Sequence, residues 1–412
     1  MRILYISQYF PPEIGAPAAR VSELSRHWVR AGHGVTVLTG FPNHPTGEIH
    51  PDYRKRFRRL TVSESGGGIE VIRTWLWALP NRKSLERILN YTSFAVSAIL
   101  RGLFMKKVDV VIATSPQLLV GVSGWALARL KRVPVILEVR DIWPDAILAS
   151  GVSKPGSRLD NMLSSISRFL YRRCDHIVVV SPAFIDELVE KWNVPREKLS
   201  LVVNGVETDL FTPGDGTEMR KALGLEGRFI VSYVGTVGLA HGIRTVLDAA
   251  ERIRSTKPQI VFLIVGEGAE RENLEAEAKQ RGLSNVVFAG QHPREEIPAI
   301  LHASDVCLVL LKRTDAFKQV IPTKMLEFMS SETPLILGVE GQARAIVESA
   351  GGGICIEPEN VDELVEAVER LEASEELRRA LGESGRRYMV KEFSRQRSAE
   401  DYIKILERVT GS

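Results

Sequence analysis

Short apolar runs alternate along this chain with stretches whose apolar residues recur every three to four positions. The runs at 2–7, 34–39, 69–74, 109–113, 134–139 and 176–180 are rich in Val, Ile and Leu and show no alternation. The same holds at 229–234, 260–265, 286–288, 305–310, 334–337 and 354–356. Such runs predict strands covered on both faces. The periodic stretches between them predict helices near 17–31, 84–106, 117–131, 157–172 and 182–191, then near 242–254, 269–281, 293–302, 322–330, 342–349 and 361–373. Two terminal helices follow Glu375, the last near 394–409 with Ser394 as its N-cap. Strand–helix alternation in both halves predicts an α/β protein of two doubly wound, Rossmann-like domains. Val202-Val203-Asn204-Gly205-Val206 ends a short strand, and Pro213-Gly214-Asp215-Gly216 is the turn-rich link. The domains are expected at 1–205 and 206–393.

The 412 residues have an ordinary soluble composition, 44% hydrophobic and 25% charged. Three scattered cysteines, Cys174, Cys307 and Cys355, offer no disulfide framework and suit a reducing cytoplasm. Net charge is +3, unevenly placed: residues 1–200 carry 28 Lys and Arg against 17 Asp and Glu, while residues 201–412 are net −8. The first half is therefore expected to meet something anionic. Residues 50–110 hold 12 basic and 5 acidic residues, among them the cluster Arg54-Lys55-Arg56-Phe57-Arg58-Arg59. Leu89–Met105 is apolar, preceded by Arg82, Lys83 and Arg87 and followed by Lys106 and Lys107. It reads as a core helix or as an interfacial helix with cationic ends. No run of 18 apolar residues predicts a spanning helix. The first residues read as a buried strand, not a secretory leader.

The segment Pro322-Thr323-Lys324-Met325-Leu326-Glu327 concentrates the chemistry. Pro322 suits a first helical turn, whose free amides and partial positive charge hold anions. Lys324 adds a full charge, and Glu327 follows one turn later on the same side. A diphosphate with a ribose behind it fits this pattern; an intrahelical ion pair is the plain alternative. Gly235 and Gly238 follow one strand and could bring amides to a phosphate. Gly266 follows another, where a flat base could lie on the backbone. In the first half, Gly15 leads from a strand into a helix bearing Arg20, and this loop could hold phosphate or acceptor groups. Glu138 and Arg140 read as a structural pair or as site residues, with Asp141 placed to orient a sugar hydroxyl and Arg140 to meet a phosphate. His44 could bind acceptor or move a proton. Neither H-E-x-x-H, paired cysteines, Asp-x-Asp nor a G-x-x-x-x-G-K-[ST] loop occurs, so no metal, ATPase or hydrolase signature is visible.

The chain resembles retaining glycosyltransferases of the GT-B fold, family 4. The resemblance is carried by Gln8-Tyr9-Phe10-Pro11-Pro12-Glu13, Glu138-Val139-Arg140-Asp141-Ile142-Trp143-Pro144, Val203-Asn204-Gly205-Val206, Val265-Gly266-Glu267-Gly268, Ala303-Ser304-Asp305 and Pro322-Thr323-Lys324 with Glu327. Within that family it is similar to bacterial surface-polysaccharide transferases of the N-acetylfucosamine type. The resemblance implies two domains facing across a cleft, with 394–412 crossing back to the first domain. It implies that Glu327 holds the ribose, Gly266 and Glu267 lie near the base, Lys324 and Thr323 near the diphosphate, and Gly15 beside the leaving phosphate. Three departures stand out. Gln319 replaces a glutamate that touches the donor sugar, Arg140-Asp141 replaces His-Asp, and Thr236 and His241 stand near places usually basic.

These readings lead to an expected hexosyltransferase. It would use a UDP-sugar donor, no cofactor and no metal, and a polyprenyl-diphosphate-linked or glycan acceptor. It would sit at the cytoplasmic membrane surface through residues 50–110, with no nucleic-acid partner. A nucleotide-sugar 2-epimerase and a non-catalytic binding partner are the alternatives.

Overall fold

The computed structural model describes residues 1–13, 15–44, 46–79, 84–115, 117–145 and 156–411. The chain divides into two compact units, Met1–Asn204 with Arg395–Ser412, and Gly205–Ser394.

The first unit is built on strands β1 (Arg2–Ile6), β2 (Gly34–Gly40), β3 (Thr61–Gly66), β4 (Ile69–Thr74), β5 (Val110–Thr114), β6 (Val135–Val139), β7 (His176–Val179) and β8 (Leu199–Leu201). They form one eight-stranded sheet in the order β3-β4-β2-β1-β5-β6-β7-β8. All its described pairings are parallel except β3 with β4. The strands β5, β6 and β7 are buried at every position, which explains their unbroken apolar sequence. Helices Ser84–Leu103, Leu118–Lys131 and Arg158–Arg173 cover one face through Phe94, Leu127 and Leu170. Helices Ala16–Arg30 and Arg395–Thr410 cover the other, where Trp28 and Tyr402 meet edge to face. The order reverses between β1 and β5, the place where doubly wound sheets open for ligands.

The second unit carries β9 (Phe229–Val234), β10 (Ile260–Val265), β11 (Val286–Gly290), β12 (Val306–Leu310), β13 (Leu335–Gly338) and β14 (Gly353–Cys355). Their order is β11-β10-β9-β12-β13-β14, all parallel, reversing between β9 and β12.

Several elements depart from the sequence expectations. Strand β3, Thr-Val-Ser-Glu-Ser-Gly, is a polar antiparallel edge with no apolar run to reveal it. Helices Arg54–Phe57 and Thr217–Ala222 bury no residue, so they lack periodicity. The strand expected to end in 202–206 instead spans Leu199–Leu201.

The C-terminal helix is part of the first core. Trp28 is fully buried, and its Nε1–H donates to the Ala399 carbonyl at 3.1 Å. Arg395 Nε pairs with buried Glu23 at 2.9 Å. Trp28→Ala should therefore cost about 3–5 kcal/mol, read as a lower urea midpoint of the transition followed by near-ultraviolet circular dichroism.

Candidate active site

Strand β9 delivers the chain to the switch point of the second sheet at Gly235, whose φ is 140°. From there two loops run backbone to backbone. The Gly235 amide donates to Val265 O at 2.9 Å and the Val237 amide to Glu267 O at 2.9 Å. A Cβ on Gly266 would lie 1.9 Å from the Gly235 carbonyl oxygen, and one on Gly268 2.2 Å from that of Val237. These glycines are thus required by the fit of one loop on another. That corrects one expectation, because the Gly235 amide is already spent within the protein; Gly266 is required for the loop contact in addition to any contact with a base.

Gly235 has a second duty. A Cβ there would come within 3.3 Å of Lys324 Nζ. Lys324 is the second residue of helix Thr323–Ser330, capped by Pro322. Its stem is partly exposed, but Nζ is sealed from solvent and makes no hydrogen bond. The ammonium lies 3.9 Å from the centroid of the Tyr233 ring, a cation–π contact that partly replaces water. Burial pulls its pKa down to about 7, against the attraction of Cys307 and Glu327. The intrahelical ion pair is not formed: Glu327 Oε1 accepts from Arg294 Nη1 at 3.1 Å, and that guanidinium rests 5.3 Å from the Phe211 ring centroid.

The other expected donor residues lie in the same unit. Thr323 opens the same helix and is half-buried. Thr236 is exposed, and its carbonyl accepts from the Tyr233 hydroxyl at 2.7 Å. Gln319 is exposed at the end of the 3-10 turn Asp315–Gln319. Glu267 is paired with Arg271. The His241 ring lies 6.2 Å from that of Tyr233, and burial with Lys324 beside it lowers its pKa to about 4, so it is neutral at pH 7. Sequence reasoning missed Tyr233 and Arg294. Tyr233 had one signal, a tyrosine near the end of a strand that runs straight into Gly235.

In the first unit, Glu138 is fully buried on β6. It accepts from Tyr5 OH at 2.7 Å and Arg20 Nε at 2.9 Å. The rest of the Arg20 guanidinium donates to the carbonyls of Val202 and Val203 and to Asn204 Oδ1, at 3.0–3.1 Å. Two expectations are corrected here. Glu138 pairs with Arg20 and not with Arg140, because the helix Ala16–Arg30 lays Arg20 directly over it. Arg20, only 1% exposed, is spent inside the unit and is out of an acceptor's reach. Burial alone would raise the Glu138 pKa; Arg20 and Arg140 outweigh it and hold the carboxylate ionised.

Arg140 follows with its amide held by Ser115 Oγ at 2.7 Å. Asp141 is exposed and lines a small pocket with Ser115, Gln117 and Trp143. Gly15, with φ 140°, opens helix Ala16–Arg30. His44 is exposed, its ring 5.2 Å from that of Tyr9. Its amide and that of Asn43 each donate to Glu13 Oε1 at 3.0 Å, while the Phe10 amide donates to Oε2 at 3.2 Å. Glu13, unforeseen in this role, therefore ties the first loop to the second.

Gly266→Ala should cost roughly 2–4 kcal/mol by strain and overlap. Gly224→Ala, at a positive φ but with open space around it, should cost only about 1 kcal/mol. Comparing their urea midpoints checks that the loop contact, not φ alone, demands Gly266.

Residues 15–205 match the glycosyl transferase 4-like domain, and residues 215–388 match the glycosyl transferases group 1 family. A putative colanic acid biosynthesis glycosyl transferase of Escherichia coli is 27% identical over 380 residues, spanning 89% of this chain and 91% of that protein. Sucrose-phosphate synthase from Thermosynechococcus elongatus shares the fold with a TM-score of 0.77 at 22% identity, over 100% of this chain and 99% of its own. HepE from Anabaena, solved in complex with UDP-glucose, does so with a TM-score of 0.72 at 15% identity, over 99% and 100%. With both units matched in this way, the chain is a glycosyltransferase of the GT-B type, group 1.

Proposed function

We propose that this glycosyltransferase moves a hexosyl unit, of the acetamido-deoxyhexose kind, from a UDP-sugar to an acceptor hydroxyl with retained anomeric configuration. The observation that carries the reading is the sealed, unpartnered Lys324 ammonium at the start of helix Thr323–Ser330, beside the switch point of the second sheet. A buried cation without an anion is costly, and a diphosphate would complete it. As the sugar–phosphate bond breaks, charge grows on the diphosphate, and Lys324 with the helix amides stabilises it. Glu327, fixed by Arg294, is placed one turn deeper to accept from ribose hydroxyls. Thr323, Thr236, Gln319 and Glu267 border the donor's place. UDP as the carrier is supported by the HepE complex with UDP-glucose. No metal is needed in this scheme, since Lys324 supplies the charge; among the described residues, no group of three His, Cys, Asp or Glu side chains could hold one.

The acceptor falls to the first unit, with Gly15, His44 and Asp141 as its contacts. A bacterial surface polysaccharide, built on a polyprenyl diphosphate or a growing glycan, fits the name of the Escherichia coli relative. The working place would then be the cytoplasmic membrane surface. No helix among the described residues is long and apolar enough to cross a membrane. Helix Ser84–Leu103 does two things at once: Phe94, Ala95 and Ala98 enter the core, while Val96, Leu100 and Leu103 stay exposed and lead to Phe104, 83% exposed. Exposed Lys106 and Lys107 follow. Ser97 of this helix donates to the Trp75 carbonyl, and Trp75 stacks on Phe57 of the basic helix Arg54–Phe57. Apolar stripe and basic cluster therefore share one region. Arg82 and Lys83 lie outside the described residues.

Two measurements test this. In a UDP titration Glu327→Ala should weaken binding with an unchanged melting curve, and Lys324→Met should lower kcat by ~100-fold or more. Because a diphosphate favours the charged lysine, binding takes up a proton above pH 7. Affinity for UDP should therefore fall as pH rises from about 6.5 to about 8.5, and this slope should vanish in Lys324→Met. Release of UDP from a UDP-sugar only when acceptor is present separates transfer from epimerisation. For the membrane, each basic residue near an anionic surface contributes about 1 kcal/mol. Sedimentation with anionic vesicles should weaken at high salt and on charge reversal of Arg56, Arg58 and Arg59, leaving UDP binding untouched; salt-independent recovery with neutral vesicles would instead assign the anchoring to the apolar stripe.

A further inference from the structure

The first unit holds a second cation, Arg140, two of whose guanidinium nitrogens are sealed from solvent without an acceptor. Glu138 supplies one negative charge, and Arg20 matches it at 2.8 Å. Arg140 stands two residues further along the same strand line, on the Glu138 side, and adds another guanidinium. Its Nε and Nη1 are sealed from solvent and have no acceptor. Ser115 Oγ takes the backbone amides of Arg140 and Asp141, at 2.7 and 3.4 Å, and leaves the side chain unserved. Asp141, the nearest carboxylate in sequence, is exposed and lines the Ser115–Gln117–Trp143 pocket. A guanidinium cannot escape by losing its proton, and sealed donors left without an acceptor are costly. Its vacant Nε–H and Nη1–H point to different sides of the guanidinium, so each would take a separate oxygen, and its fixed charge favours a phosphate over a neutral sugar hydroxyl.

We propose that Arg140 is an anion-binding residue of the first unit, taking the phosphate or diphosphate group of the acceptor. This rests on the reading that the first unit serves the acceptor, and it narrows the acceptor class to phosphate-bearing molecules. The same chemistry could come from the donor's diphosphate, so the test separates the two sources.

The full-length protein is saturated with UDP to fill the second unit and titrated with inorganic pyrophosphate by calorimetry. Pyrophosphate should still bind. Arg140→Met should weaken that binding at least tenfold with the UDP affinity unchanged, and Arg140→Lys should retain part of it. Ligand-free Arg140→Met should melt at or above the wild-type temperature, since sealed donors without an acceptor have been removed; a structural ion pair would show a drop. Unchanged pyrophosphate binding in Arg140→Met, or a lowered melting temperature, overturns the proposal. Weakened UDP binding with no pyrophosphate bound to the UDP-saturated protein reassigns Arg140 to the donor and overturns the acceptor role. If wild-type protein fails to bind UDP, the donor reading fails by itself. The anion site is then read in the Lys324→Met background, where pyrophosphate binding must still depend on Arg140.

Discussion

Glu138 lies fully buried in the middle of a parallel sheet, and a carboxylate there is tolerable only because Arg20 and Tyr5 meet it. Breaking such a pair is strongly destabilising, although the pair itself adds little net stability over an apolar substitute. Its value is in what it joins. Tyr5 comes from β1, Glu138 from β6, Arg20 from the first helix, and the remaining guanidinium bonds fix residues 202–204. One charged contact thus sets where the first helix lies on the sheet and where the chain leaves the unit. It also bears on Arg140, since the Glu138 carboxylate beside it is already hydrogen-bonded by Arg20 and Tyr5.

The second unit solves a similar problem by different means. Lys324 Nζ makes no hydrogen bond to a carboxylate; an aromatic face and a bare glycine make its place. Tyr233 does this with both ends, its ring under the ammonium and its hydroxyl on the Thr236 carbonyl. The loops that surround it are held to each other by main-chain hydrogen bonds, so the place is stiff before any ligand arrives. Stiffness of this kind matters for a transferase, because charge stabilisation works through groups that need not rearrange during the reaction.

Much of this was legible in the sequence. Unbroken apolar runs announced the buried strands, and Pro322, Lys324 and Glu327 announced the helix start. The pattern failed where burial was absent or shared. Polar β3 and the exposed helix Thr217–Ala222 bury too little to leave a period. The glycines at 235, 266 and 268 could be read as ligand contacts because a sequence does not show that two loops press on each other. Arg20 and Arg140 looked alike as basic residues near strand ends; only packing separates the one that is matched from the one that is not. Arg294 carried no signal, since its partner Glu327 lies 33 positions away.

The last helix of the chain closes the core of the first unit, through Ala399, Tyr402 and their contacts with Trp28. During synthesis the ribosome makes Met1–Asn204, then all of Gly205–Ser394, and only then that helix. At about 5–20 residues per second, roughly 10–40 s pass in between. Throughout that interval the nascent first unit presents an open apolar face around Trp28, while the second unit, contiguous in sequence, is free to fold as it emerges. The first unit can therefore complete its core only after the whole of the second has been made.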